Sequence, residues 1–478
     1  MPAPAEVLKK SVMGLAVTLL FFAAVEGVLF VVGVTPLSDR ADPYVGFAGY
    51  SPLFVESTAP DGSRVLRTSD AKASWFNPQR FTVRKASGTT RIFCLGGSTT
   101  YGRPYEDATS FCGWLREFVS AAHPSREWEV VNAGGISYAS YRVARLMEEL
   151  ADYEPDLFVI YTGHNEFLER RTYDRLLNTP EIVRNVGALA SGLRLYSAMS
   201  DVLYPEQDVL DTELDVVLDQ SVGPEDYRRD DTMRDAVLEH FRSSVERMVD
   251  MGRQAGAEVL LVTPASNLRD FSPFKAEPSP GLDAASVARA GQLAASIADL
   301  RQAGDFERAA ALADEALAID PRNADLLFLR GRALLGLGDA AGARAAFIAA
   351  RDEDVAPLRA LTPVTGIVAE IAERRSTGLV DFEAMMDAAS ADGIPGDDYF
   401  LDHVHPSIEA HGVLGLAILD ELVAMGVASP APSWGDAAIA DISDRVVASI
   451  DEAAHARALA NLALILCFFF NQYEALTG

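Results

Sequence analysis

The sequence predicts an α/β fold, in which helices cover both faces of a parallel β-sheet. Three observations predict it. Short apolar runs alternate with helical stretches from residue 91 onward, a helical repeat interrupts this alternation, and an apolar segment lies near the N-terminus. We therefore expect a parallel sheet with an inserted α-helical module and an N-terminal transmembrane helix.

The apolar segment covers residues 12–34 and is broken by a charge only at Glu26. It is long enough to cross a bilayer as a helix. Thr35 and Pro36 follow it without a small-residue cleavage pattern, which favours an uncleaved signal anchor and leaves a cleaved signal peptide as the alternative. Lys9 and Lys10 precede it, so the N-terminus should be cytoplasmic and the rest of the single-pass protein should lie on the extracytoplasmic, periplasmic side of the cell membrane.

Composition excludes some functions. The chain has 478 residues, which is more than one ordinary domain, and a formal net charge of -28. This acidic balance and the lack of a basic stripe exclude a nucleic-acid partner. Three cysteines are too few for a disulfide framework, so buried thiols are favoured, with a Cys94–Cys112 bridge as the alternative.

Five apolar runs are predicted as strands, and each of the first four ends close to a glycine or proline. They are Arg91–Leu95, Glu129–Asn132, Asp156–Thr162, Glu258–Thr263 and the weaker Leu379–Phe382. Helices are predicted over residues 109–122, 141–150, 233–254 and 407–425. Residues 43–90 are expected to be irregular, and residues 164–232 are expected to be helical, either roofing the site or packing as an insert.

A repeat with an offset of 34 residues lies between the fourth and fifth strands. Gly304 and Asp305 recur as Gly338 and Asp339, and Asp320 recurs as Asp354. This period, with small residues at helix contacts, is typical of the tetratricopeptide repeat (TPR), which suggests a protein partner. An alanine-rich helical insert without TPR packing is the alternative.

These patterns divide the chain into five parts. Residues 1–40 hold the membrane anchor, 41–282 and 355–430 form the two halves of the α/β domain, 283–354 form the TPR-like insertion, and 440–478 resemble further TPR-like helices. We expect the insertion to pack against the body, including the helix near residues 456–476. Because the insertion carries no candidate catalytic residue, its replacement by a linker is expected to spare chemistry on a small substrate.

Three motifs carry candidate chemistry. Ser98 follows Gly96 and Gly97 at the end of the first strand, where its hydroxyl and N–H can face the sheet edge. Asp402 and His405 are three residues apart, so the carboxylate can orient the imidazole. Asn165 follows the third strand and can donate to an oxyanion. The competing interpretations are a structural turn serine, a turn-forming asparagine, and a metal site of Asp402, His403 and His405.

Together these motifs resemble the SGNH (GDSL-like) hydrolase family. Gly96–Tyr101 resembles its first sequence block, residues 132–138 its second, Gly163–Glu166 its third and Asp402–His405 its fifth. The closest resemblance is to a bacterial branch that joins this domain to TPR helices behind a membrane segment. The resemblance implies a three-layer, flavodoxin-like sheet.

The resemblance also implies roles. Ser98 would be the nucleophile, His405 the base and Asp402 its orienting group. The oxyanion hole would consist of the Ser98 N–H, the Asn165 side chain and the Ser137 N–H. Two positions depart from the family pattern, since Gly97 replaces an aspartate and Ser137 replaces a glycine.

The expected function is therefore that of a serine-dependent esterase or O-acyltransferase without a cofactor. Its substrate would be an ester-linked acyl group of a cell-envelope glycan or lipid. The alternative is a non-catalytic, membrane-anchored TPR scaffold that keeps the SGNH fold.

Overall fold

A computed structural model of the chain describes residues 13–14, 20, 22–34, 52–168, 194–195 and 227–470, with the backbone alone over residues 464–470. The first elements form a small antiparallel sheet of β1 (Phe54–Thr58), β2 (Arg64–Thr68) and β3 (Arg80–Thr82). The expectation of irregular structure over residues 43–90 is therefore wrong for this part. The strands are short and half-exposed, so they lack the apolar runs that made the other strands recognisable.

The main sheet has five parallel strands: β4 (Thr89–Gly96), β5 (Glu127–Gly134), β6 (Leu157–Tyr161), β7 (Glu258–Val262) and β8 (Gly378–Val380). All five predicted strands are present, and the prediction of an α/β fold with a parallel sheet is confirmed. Side chains of β4 alternate between two cores. Phe93 and Leu95 pack on one face of the sheet, and Ile92 and Cys94 pack on the other.

The strand order across this sheet is β5-β4-β6-β7-β8. In chain order this is 2-1-3-4-5, the order of flavodoxin-like sheets, whose ligands bind beyond the carboxyl ends of the strands where the order reverses. Here the reversal lies between β4 and β6, and Gly96 pairs with Tyr161 at the ends of these strands. Residues just after β4 and β6 are therefore neighbours at the crevice.

Helices cover the sheet on both faces. On the face of Phe93 lie α3 (Ser140–Leu150), α4 (Asp231–Gln254) and α9 (Thr362–Arg375). On the face of Cys94 lie α2 (Phe111–Ala122), α10 (Phe382–Ala389) and α11 (Ile408–Ala424), and a single turn, α1 (Ser98–Tyr101), follows β4. Helices α9 and α10 were not predicted from the sequence.

The insertion consists of two helical hairpins, α5 (Ala284–Gln302) with α6 (Phe306–Ile319) and α7 (Ala324–Gly336) with α8 (Ala340–Asp352). The repeated Gly-Asp pair has a structural reason. Gly304 and Gly338 take left-handed φ angles of 74° and 80° after the first helix of each hairpin, and Asp305 and Asp339 cap the second helix. The C-terminal end of the insertion is tied to the segment that leads into it, because the Asp354 carboxylate accepts hydrogen bonds from the backbone of Phe274 and Lys275.

Two helices follow α11, namely α12 (Asp436–Ala448) and α13 (Glu452–Phe470). In the described part of the chain α12 packs against α2, and His455 of α13 stacks on Tyr105 with ring centroids 4.4 Å apart. The insertion instead packs Phe347 and Ala343 against Leu268 and Ile394. The insertion therefore contacts loops of the α/β domain, whereas its expected packing on the helix near residues 456–476 stays a prediction, because most of that helix lies outside the described side chains. Residues 471–478 lie outside the described residues.

The predicted membrane segment, residues 12–34, is described only in part, and most of residues 164–232 lie outside the described residues. Among the helices that the structure describes, none combines the length and the apolar character that crossing a membrane would need.

The two described cysteines, Cys94 and Cys112, are both buried and carry free thiols. They lie on β4 and α2, within the core on one face of the sheet. This agrees with the favoured prediction of buried thiols over a bridge.

Candidate active site

Ser98 begins α1 just after β4, which ends at Gly96, so that only Gly97 lies between the strand and the serine. Gly97 is required because the Asn165 side chain approaches it closely. A Cβ atom at position 97 would lie 2.6 Å from Nδ2 of Asn165. The absence of a side chain therefore lets the end of β6 reach the nucleophile position.

His405 joins Ser98 to Asp402 by two hydrogen bonds. His405 Nε2 lies 2.8 Å from Ser98 Oγ, and His405 Nδ1 lies 2.6 Å from Asp402 Oδ2. With Nδ1–H donating to the carboxylate, Nε2 has a lone pair for the serine hydroxyl. The structure thus brings together three side chains separated by up to 307 positions.

The three-residue spacing of Asp402 and His405 has a local cause. The other carboxylate oxygen, Oδ1, accepts hydrogen bonds of 2.8 Å from the backbone N–H groups of Val404 and His405. This turn, formed by an aspartate side chain and its own backbone, places the His405 ring against Oδ2. The loop is closed by a 2.8 Å hydrogen bond from Leu401 N–H to the His405 carbonyl.

Asp402 is 3% exposed, and neighbouring groups stabilise the negative charge of its carboxylate. Burial alone would raise the pKa of its carboxyl, but His405, His403 and the hydrogen bonds from His405 lower this pKa well below its usual value. Asp402 is therefore ionised at neutral pH and can hold the His405 tautomer.

His403 lies beside two phenylalanine rings. Its ring packs on Phe271 and Phe274 with centroid distances of 5.3 and 5.0 Å. Burial lowers the pKa of His403 to about 4, so this ring is neutral near pH 7. Of the two histidines in the motif, only His405 has the geometry of a base for Ser98.

Asn165 lies beyond the end of β6, where its side-chain N–H donates to the Tyr138 carbonyl at 3.0 Å. Its amide has a second N–H available for another acceptor. Ser137, one residue before Tyr138, has a left-handed φ of 61°. This is a conformation that glycine adopts most easily, so the backbone shape expected for glycine is present although the residue is serine.

Glu166 is a contributor to the site that sequence reasoning missed. It is fully buried, and its two carboxylate oxygens accept from the N–H of Ser140 at 2.9 Å and from its hydroxyl at 2.7 Å. Glu166 therefore holds the start of α3 and, with it, the loop that contains Ser137 and Tyr138. Its position directly after Asn165 was the only signal for this role.

Burial raises the pKa of the Glu166 carboxyl to about 7, although the two hydrogen bonds from Ser140 act in the opposite direction. The group therefore titrates near neutral pH inside the fold.

The metal alternative is not favoured by the geometry. Across the part of the chain that the structure describes, no three histidine, cysteine, aspartate or glutamate side chains are grouped so that they could hold a metal ion. Asp402 and His405 are instead engaged with each other and with Ser98.

A family model of the tetratricopeptide repeat matches residues 300–361. The predicted TPR is therefore confirmed, over a range that begins and ends later than the predicted 283–354. A search of curated proteins found no match to this chain.

Three solved structures illustrate the likeness to known folds. A lipase/acylhydrolase from Enterococcus faecalis is 13% identical, with 72% of this chain and 100% of that chain covered and a TM-score of 0.33. An acetylxylan esterase from Geobacillus stearothermophilus is 13% identical over 72% and 96% of the two chains, with a TM-score of 0.32. A GDSL-like lipase from Bacteroides thetaiotaomicron is 10% identical over 70% and 89%, with a TM-score of 0.31.

We predict that Glu166→Gln changes how stability depends on pH. Between the ordinary glutamate pKa of 4.5 and the raised value of about 7, the folded protein binds more protons at Glu166 than the unfolded chain does. Wild-type stability should therefore fall as pH rises through this window, whereas the amide of the variant cannot titrate. Relative to wild type, the free energy of unfolding of the variant should increase by up to about 3 kcal/mol from pH 4.5 to pH 8.

Urea unfolding of both proteins at the two pH values measures this difference, and comparing the pair cancels titration elsewhere. A difference that stays constant with pH would show that Glu166 is ionised in the fold throughout.

Proposed function

We propose that this chain is a serine-dependent esterase or O-acyltransferase that works through an acyl-enzyme. The observation that carries the proposal is the continuous hydrogen-bonded chain from Ser98 through His405 to Asp402. A hydroxyl, an imidazole and a buried carboxylate in this order are the parts that nucleophilic acyl transfer needs.

In the first step Ser98 Oγ attacks the acyl carbon of an ester, and its proton moves to His405 Nε2 at the other end of the 2.8 Å contact. Asp402 stabilises the imidazolium that forms. When the tetrahedral intermediate collapses, the C–O bond to the alcohol breaks and His405 returns the proton to the leaving alkoxide. The acyl group then remains on Ser98 as an ester.

The negative oxygen of the intermediate needs donors. We assign this role to the Ser98 N–H at the start of α1, the second N–H of the Asn165 amide, and the Ser137 N–H. The support is that Asn165 lies directly over Gly97 and that Ser137 has the backbone conformation expected for the family's glycine. One such donor typically contributes about 3 kcal/mol to the transition state.

In the second step an acceptor hydroxyl attacks the acyl carbon while His405 takes its proton. The bond between the acyl carbon and Ser98 Oγ then breaks, and His405 returns the proton to Ser98 Oγ. Water as acceptor gives hydrolysis, whereas a sugar or lipid hydroxyl gives transfer, and the same three residues serve both reactions. Each step uses side chains of this chain alone, so we propose no cofactor.

We further propose that the protein is attached to the cell membrane through its N-terminal segment, with the catalytic domain on the periplasmic side. Apolar side chains of the described helical residues 22–32 support attachment, because Phe30, Val31 and Val32 are 66%, 83% and 72% exposed. This location would make ester-linked acyl groups of envelope glycans or lipids the accessible substrates. The TPR helices would bind a protein partner.

Alanine variants of His403 and His405 should show which of the two histidines acts as the base. His405→Ala should lower kcat on a small chromogenic ester almost as far as Ser98→Ala, by about 10³-fold or more, because the set acts as a unit. His403→Ala is the matched control and should retain most activity, since its ring packs on Phe271 and Phe274.

Circular dichroism of each variant checks that the fold is kept. If His403→Ala were the inactive variant and His405→Ala remained active, the assignment of the base would be overturned.

The topology proposal predicts that protease added to intact spheroplasts digests the catalytic domain, because Lys9 and Lys10 should hold the N-terminus inside. Immunoblotting against the domain measures its loss, with a cytoplasmic protein as the control for membrane integrity. Protection of the domain while the membrane is intact would place it in the cytoplasm.

A further inference from the structure

A short segment after β7 lies between the TPR insertion and the loop that carries Asp402 and His405. We call residues 267–271 the bridging segment. Hydrogen bonds and buried apolar contacts hold the bridging segment in place. It therefore connects the TPR insertion to the catalytic loop, two parts that are far apart in the sequence.

The insertion contacts this segment through α7 and α8. Arg332 Nη1 donates to Asp270 Oδ1 at 3.0 Å and to the Arg269 carbonyl at 3.2 Å. The adjacent Leu268 is 2% exposed and packs against Phe347 of α8. The contact therefore combines an ion pair with a buried apolar core.

The same segment binds the catalytic loop on its other side. Asp270 Oδ2 accepts from the Asp397 N–H at 3.1 Å, and Asn267 Nδ2 donates to the Asp397 carboxylate at 2.7 Å. The Asn267 N–H donates to the His403 carbonyl at 3.0 Å. The bridging segment thus binds the loop both before Asp402 and directly after it.

Little free space separates these groups. A Cβ atom at Gly396 would lie 2.2 Å from Asp270 Oδ2 and 2.3 Å from Arg269 Nη2. Arg269 also pairs with the Asp398 carboxylate at 2.6 Å. A displacement of the Asp270 carboxylate would therefore be passed to residues 396–398 by direct contact.

Charge makes Arg332 important in this cluster. Three carboxylates, Asp270, Asp397 and Asp398, lie together, and the guanidinium groups that contact Asp270 and Asp398 are those of Arg269 and Arg332. Without Arg332, Arg269 would be the remaining guanidinium that pairs with these carboxylates among the residues that the structure describes, and like charges would repel across the Asp270–Asp397 contact.

We propose that the TPR insertion helps to position the Asp402–His405 loop, with Arg332 acting as a positioning residue through Asp270. The catalytic role of this contact rests on the proposed function, whereas the contact itself is seen in the structure whatever the function is. It opposes the expectation that the insertion can be replaced by a linker without effect on the chemistry of a small ester.

The test compares Arg332→Ala with Arg330→Ala. Arg330 is two residues away on α7 and pairs with Asp314 at 2.7 Å inside the insertion, so it is a matched control for the loss of an ion pair. On a small ester, Arg332→Ala should lower kcat by about tenfold with little change in KM, because displacement of a catalytic group by about 1 Å can cost up to about 10²-fold. Arg332→Lys should recover part of the loss, and Arg330→Ala should match wild type.

Hydrogen–deuterium exchange of residues 395–405 gives a readout that does not require activity. This peptide should exchange faster in Arg332→Ala than in wild type or Arg330→Ala. Asp270→Asn should increase exchange at least as much, because it also weakens the contacts of Asp270 Oδ2 with Arg269 and Asp397. Adding Arg332→Ala to Asp270→Asn should change exchange little further, because the Arg332–Asp270 ion pair is already lost.

Equal exchange in Arg332→Ala and Arg330→Ala would overturn the inference, as would equal kcat values. If wild type cleaved no ester, the proposed function would fail instead, while the exchange comparison would still decide whether the insertion holds the loop.

Discussion

The hydrogen bond between His405 Nε2 and Ser98 Oγ joins residues 307 positions apart, and the architecture of the α/β domain keeps it in place. Ser98 directly follows β4, an internal strand of the sheet that lies next to β6, after which Asn165 follows. His405 has no strand of its own and depends on the Asp402 turn and on the loops behind it. The serine side of the site is therefore held by the sheet, whereas the histidine side is held by hydrogen bonds within its loop and with neighbouring loops.

The sheet and the candidate site were predictable because both depend on local sequence. Apolar runs ending at glycine mark parallel strands, and residues after such strands meet at one edge. The Asp402–His405 spacing is explained by hydrogen bonds within the turn itself. The small N-terminal sheet was missed because its strands are short and half-exposed, and the role of Glu166 was missed because its partner, Ser140, lies 26 residues away.

The contact between Arg332 and Asp270 could not be predicted for a related reason. The insertion repeats with a regular period, and its capping aspartates are explained by its own helices. This regular repeat suggests an independent module. However, two hairpins alone bury little surface. The α/β domain supplies further contacts at Leu268 and Ile394. A module recognised by its period can thus still form part of the support for a catalytic loop elsewhere.

Covalent trapping would show whether Ser98 is the nucleophile that forms an acyl-enzyme. Full-length protein would be incubated with a fluorophosphonate, digested and analysed by mass spectrometry to locate the adduct. We expect modification at Ser98, and much slower modification in His405→Ala, because His405 removes the hydroxyl proton. An adduct on another serine, or a labelling rate that is unchanged by loss of His405, would contradict this expectation.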